Sequence, residues 1–293
     1  PLTLQANRLV SLRHSQQANL PRNRLVSLLG NRLQSQQVNR QANQLVNQRR
    51  SLRGSPPLNI QANQLGSDAP ANYLSLLAGK MSLGDIFDNN VYAKDPRSQF
   101  MNWCLMNNGA WDYAANLRGY TYTLAAIIHQ KQMTWKAGLA AMPYVANGPD
   151  LNTNPGKEYS LNAQADRALT IHQKPGNIRI LAYLNNGDMG NYSKAITNAL
   201  PGAAPDLISI RSYGRTKTGL CISADQQLAD DCGIFTRLGW NDGRNETWCF
   251  TEADQIISAG VSFTGNKWKR KDDVLAIAFD VNGLSSSHRA YLA

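Results

Sequence analysis

The chain has 293 residues, a mass of 32.3 kDa and a formal net charge of +10, enough for one large domain or two. That charge is uneven: nine arginines (8, 13, 22, 24, 32, 40, 49, 50 and 53) and no Lys, Asp or Glu precede Asp68, which leaves +1 for the rest. The body is therefore nearly neutral, and no nucleic-acid partner is supported. The four cysteines (104, 221, 232 and 249) form no CxxC pair and the four histidines are scattered. No metal site or cofactor is expected, and no disulfide framework beyond a single bridge in an oxidising compartment. No secretory signal opens the chain. No apolar run approaches the roughly 20 residues of a membrane helix, which leaves a spanning β-barrel open.

Residues 1–67 are repetitive. QAN recurs at Gln5, Gln41 and Gln61, and NRLVSL at Asn7 and Asn23, with no aromatic residue among them. Leu25, Val26, Leu28, Leu29 and Leu33 would give one face of a basic amphipathic helix. The composition better suits a disordered tail or a stretch foreign to the body, such as an out-of-frame translation. A boundary is expected near 64–70, dividing the chain into 1–67 and 68–293.

From Asn72 the pattern has period two. A strand at 72–80 and another at 119–129 flank a long connection, Asp85 to Asn116, rich in Asn, Asp and rings (Phe87, Tyr92, Phe100, Trp103, Trp111, Tyr113). So long an aromatic connection is ordered rather than disordered. Rings beside amides and carboxylates suit sugars, whose apolar faces stack while their hydroxyls pair. Packing of the loop on its own domain is equally consistent.

Further strands follow. Met133, Trp135, Ala137, Leu139 and Ala141 alternate with small or polar residues, as do Tyr159–Ala165, Ile178–Leu184, Ile257–Phe263 and Leu275–Val281. Turns are expected at 129–132, 174–176, 241–243 and 265–271, and a short helix at Tyr192–Leu200, stopped by Pro201. The tight 173–176 connection against longer ones at 147–157 and 186–206 places short turns at one end and long loops at the other. About nine antiparallel strands result.

A soluble sandwich and a membrane barrel both alternate. Here the polar parity is rich in Gly, Ser, Ala and Asn, and Trp135, Tyr120, Tyr122, Tyr159 and Trp240 sit near strand ends on the apolar parity, as an interfacial girdle would. Lys136, Arg179, Arg237, Asp225 and Asp280 avoid that parity; Arg167 does not and is expected near a strand end or bulge. The fold class is all-β, an antiparallel transmembrane β-barrel present in part.

The stretch GKMSLGDIFDNNVYAKDPRSQFMNWCLMNNGAWDYAANLRGYTY (79–122) resembles the signature of the OprB-type carbohydrate-selective porins. LADDCGIFTRLGWNDGRNETWCFT (228–251), Asp254-Gln255, Ser258-Ala259-Gly260, Lys271-Asp272-Asp273, VNGLS (281–285) and HRAYLA (288–293) continue the likeness over roughly 64–293. The resemblance implies a sixteen-stranded barrel in the bacterial outer membrane, surrounded by lipid and passing small sugars by diffusion without cofactor or catalysis. It also implies that this chain is short of the family's remaining strands, and it fixes no oligomeric state.

Candidate residues of the sugar path are Asp88, Arg97, Trp103, Trp111, Asp112 and Tyr113 from the connection and Lys136, Arg179 and Arg237 from the wall. Each ring could instead pack between loop and wall, and Asp112 with Arg97 could be an ion pair that fixes the loop. Asp230-Asp231 suits a turn better than hydrolysis, because neighbours on an extended chain point to opposite faces. A soluble carbohydrate-binding or hydrolytic all-β domain is the alternative, and an interaction protein acting through the basic N-terminal segment a third.

Overall fold

The structure, a computed structural model, describes residues 72–249 and 253–293. The expectations for 1–67 lie outside them. Among the described residues nine strands follow one another: β1 (Tyr73–Met81), β2 (Thr121–His129), β3 (Met133–Ala140), β4 (Tyr159–Ile171), β5 (Lys174–Met189), β6 (Ser212–Ala229), β7 (Cys232–Asn241), β8 (Gln255–Thr264) and β9 (Val274–Gly283). Three short helices of these residues, α1 (Trp103–Met106), α2 (Tyr192–Asn198) and α3 (Ser286–Leu292), lie in or after the connections. Each strand pairs antiparallel with the next, in the single order β1 to β9. Among the described residues β1 and β9 are the two edges.

Connections alternate in length. Residues 130–132, 172–173, 230–231 and 265–273 turn tightly at one end; 82–120, 141–158, 190–211 and 242–254 form longer excursions at the other. The β4–β5 turn is not at 174–176, as expected from Pro175-Gly176, but at His172-Gln173. Both residues have positive φ (47° and 62°), and Ile171 pairs with Lys174 across them. A two-residue hairpin whose central residues are both left-handed matches the twist of the flanking strands. Pro175 is then inside β5, opposite Thr170, while the pairing to β6 begins only at Gly176. Its missing N–H leaves that ladder intact.

The sheet's two faces have opposite chemistry. On the outer face the register lines up Leu124, Leu139, Leu161 and Leu184 across β2–β5, and beside them Ala126, Ala137, Ala163 and Ala182. Leu76, Leu124, Leu161, Ile180, Leu238, Ile257 and Phe279 are all exposed there. Tyr122 and Trp240 stand half-exposed at the long-loop end, and Trp135 at the turn end. Arg167 is exposed opposite Met133, the first residue of β3, so it sits near the strand end its parity required. The inner face instead carries buried Gln164, Arg179, Ser223, Asp225, Arg237 and Ser258, and there the core lies. All four cysteines are free.

Candidate functional site

The excursion between β1 and β2 covers the inner face. Glycines on the wall make room for it: a Cβ on Gly233 would lie 1.9 Å from the Tyr92 ring, and one on Gly239 would lie 2.0 Å from Asn108 Oδ1. After a 3₁₀ turn at Leu83–Asp85, Asp88 adopts a left-handed backbone (φ 50°) and donates its N–H to Gln164 Oε1 at 2.8 Å. Short polar side chains tolerate this conformation.

Arg237, on β7, is the hub. Its Nε meets both Asp88 carboxylate oxygens at 3.0 and 3.1 Å, Nη1 donates to Leu105 O at 2.6 Å, and Nη2 donates to Ala93 O at 2.8 Å. Asp88 Oδ2 also accepts from Asn108 N at 2.7 Å. One fork thus ties three turns of the loop to the wall. Only a planar, permanently charged donor set can do so. The side chain is 0 % exposed, an arrangement that stands only because its charge is matched and its N–H groups are bonded.

Two further wall cations are paired in the same way. Lys136 Nζ lies 2.8 Å from Asp166 Oδ2 and donates to Ile86 O at 2.8 Å. Arg179 bonds Asp225, which also accepts from Asn177 Nδ2 and Val91 N. Lys136, Arg179 and Arg237 are therefore neutralised by Asp166, Asp225 and Asp88 and hold the loop.

Trp111 is 0 % exposed. Its indole N–H donates to Asn162 Oδ1 at 2.9 Å, and its ring meets Phe87 edge-on and Tyr113 at 5.2 Å. Asp112 is buried too, accepting from Trp248 N and Cys249 N at 2.9 and 2.8 Å, while its backbone oxygen accepts from Asn185 Nδ2. Trp111, Asp112 and Tyr113 thus fasten the loop between the wall and the β7–β8 connection and face no open passage. The Arg97–Asp112 pair does not form: Arg97, with its side chain 84 % exposed, lies 4.0 Å from Asp95 instead. Trp103, at the start of α1, is 50 % exposed.

The electrostatics follow burial. Desolvation pushes the Asp112 carboxyl up against the opposing pull of Lys217 and two amide N–H groups. Desolvation likewise raises Tyr113. Lys94 is lowered to about 8, burial outweighing the attraction of Asp88; its Nζ donates to Asn107 Oδ1 at 2.6 Å. At the long-loop end Asp254 receives His288 Nδ1 at 2.9 Å and Ser285 N at 2.8 Å, with Lys217 Nζ 3.9 Å away. Burial opposes its ionisation, yet these partners hold it below the usual carboxylate range. Sequence reasoning missed Asp166, Asn162 and Lys217, whose only signal was their place on the polar parity.

A protein-family model described as carbohydrate-selective porin, OprB family, matches residues 27–293. The match begins well before residue 64, earlier than the likeness carried by the quoted stretches. No curated protein matches. Among solved structures the fold is similar to the high-pH structure of Pseudomonas putida OprB, with a TM-score of 0.57 and 14 % identity over 74 % of this chain. The chain spans about half that protein, 52 % of its length. Nine meandering strands with an apolar outside and a loop-filled inside are the wall of such a barrel, and with the family match over 27–293 the chain belongs to the OprB family of carbohydrate-selective porins.

Proposed function

We propose that this chain forms part of a channel in the bacterial outer membrane through which small neutral sugars diffuse without energy input. The observation that carries the reading is the reversed distribution of side chains. Leucines, isoleucines and half-exposed tryptophans cover one face, while arginine, lysine and carboxylates are buried on the other. An exposed apolar face of this extent suits lipid. Membership of a carbohydrate-selective porin family supports an outer-membrane setting for this reading.

In this reading the nine candidates divide by task. Asp88, Trp111, Asp112, Tyr113, Lys136, Arg179 and Arg237 set the position of the loop that narrows the passage. Arg97 and Trp103, being exposed, meet what passes. Ion pairing within the wall leaves little net field there, which favours uncharged solutes over ions. Open strand edges in hydrocarbon cost several kcal/mol per unpaired group, so the working channel has β1 and β9 both paired by further strands.

The test is swelling of liposomes containing the protein in isotonic solutions of glucose, of a tetrasaccharide and of a charged sugar acid. Fast swelling with glucose and slow swelling with the other two is expected. Swelling indistinguishable from empty liposomes, or equal for all three solutes, would overturn the reading.

A further inference from the structure

The short helix α1, which begins with the half-exposed Trp103, is fixed at both ends. Asn102 caps α1 by accepting from Cys104 N at 2.8 Å. Arg237 fixes its far end through Leu105 O, and the Phe100 ring, just before it, packs on Phe235 of β7 at 5.7 Å. The helix lies against β8 and β9. There burial and the nearby Asp280 oppose ionisation of the Cys104 thiol, which also lies beside Asn282. Asp280 and Asn282 occupy the inner parity at the loop end of β9, and Asn282 Nδ2 donates to Asp280 Oδ2 at 2.7 Å.

Asp280 forms no salt bridge among the described residues, unlike Asp88, Asp166 and Asp225. It is partly exposed and Asn282 is exposed. Opposite Asp280 in the register is Ser258, whose buried hydroxyl has no hydrogen-bond partner. The inner wall therefore neutralises its other carboxylates but keeps this one open, beside a carboxamide and next to the helix that presents the ring.

We propose that Trp103, Asp280 and Asn282 form a weak subsite for a neutral hexose in transit. The indole stacks on the apolar face of the pyranose, the Asp280 carboxylate accepts from adjacent hydroxyls, and the Asn282 amide both donates and accepts. The proposal rests on the sugar-channel reading and names where that channel holds its solute. Because ring and carboxylate are set by a capped helix and a strand, little ordering accompanies binding, and with few groups involved the sugar leaves readily.

The experiment is saturation-transfer NMR with D-glucose on the detergent-solubilised protein, comparing the parent with Trp103→Ala, Asp280→Asn and, as a control across the molecule, Lys194→Ala. Asp280→Asn keeps the shape and the Asn282 contact. The parent and the control should give equal transfer to the glucose ring protons. Both subsite variants should lose it about 3- to 10-fold, the range for one stacking or charged hydrogen-bond contact. Amide exchange of residues 103–106, unchanged in Asp280→Asn, separates lost recognition from a displaced helix. Undiminished transfer in both variants, or no transfer in a parent that passes glucose in swelling assays, overturns the subsite and leaves the channel reading standing. A parent that neither binds nor passes glucose overturns both.

Discussion

Arg237 and Trp240 are three positions apart on β7, yet the arginine has no exposed surface and the tryptophan is 51 % exposed. The contrast extends over the whole sheet. On the outer face large apolar side chains stand free in rows, and on the inner face charges are buried in pairs. In water both arrangements would be costly. They are compatible only if the outside meets hydrocarbon and the inside meets a polar layer that supplies each charge with a partner. The loop from Ser82 to Tyr120 supplies part of that layer: Asp88 and loop carbonyls meet Arg237 and Ile86 O meets Lys136, while Asp166 and Asp225 of the wall itself pair with Lys136 and Arg179.

The contrast can be broken first at its hub. Arg237→Met keeps bulk but leaves Asp88 buried without its counter-charge, at a cost of about 3–5 kcal/mol. Hydrogen exchange should rise throughout 83–116 while β3 and β4 stay protected. Trp111→Ala should cost about 3–5 kcal/mol as well, by cavity formation and by orphaning Asn162 Oδ1. Trp111→Phe, which keeps most of the volume, should cost less in the same denaturant titration. On the outer face Leu161→Arg puts a charge into hydrocarbon and should cost about 2–4 kcal/mol if Leu161 lies near mid-depth. Reversible folding into lipid vesicles would measure it, and an unchanged midpoint would count against a lipid-facing wall.

The smallest effect concerns Lys94. Its pKa is lowered to about 8 in the folded loop, against 10.5 for the free side chain. Between those values the unfolded loop holds a proton that the folded loop has released, so stability rises with pH across that window. It is lost again as pH falls toward 8. Protection factors of the loop amides, corrected for intrinsic exchange, should therefore climb modestly from pH 8 to 10.5. In Lys94→Met that slope should vanish.

Much of this was legible from residue order alone. Alternation in Met133–Ala141 and Leu275–Val281 marked strands and their outward parity, and the loop's rings marked it as ordered. The helix at Tyr192 was visible from Pro201 downstream. What stayed hidden depended on register. Arg237 and Asp88 are far apart in sequence, and only the accumulated pairing of the six successive strand pairs from β1 to β7, with the loop folded inward, brings them together. Trp111 and Trp103 are the same residue type in the same loop, and nothing local distinguishes the buried ring from the exposed one. The His172-Gln173 turn was masked by the stronger turn residues Pro175 and Gly176 just after it.

The claim that one face meets lipid and the other does not is tested most directly by hydrophobic carbene photolabelling of the protein in vesicles, with adducts located by mass spectrometry. The account predicts labels on Leu139, Leu161, Ile180 and Leu238 and none on Gln164, Ser223 or Arg237. Labels distributed over both parities, or absent from the leucine rows, would contradict it.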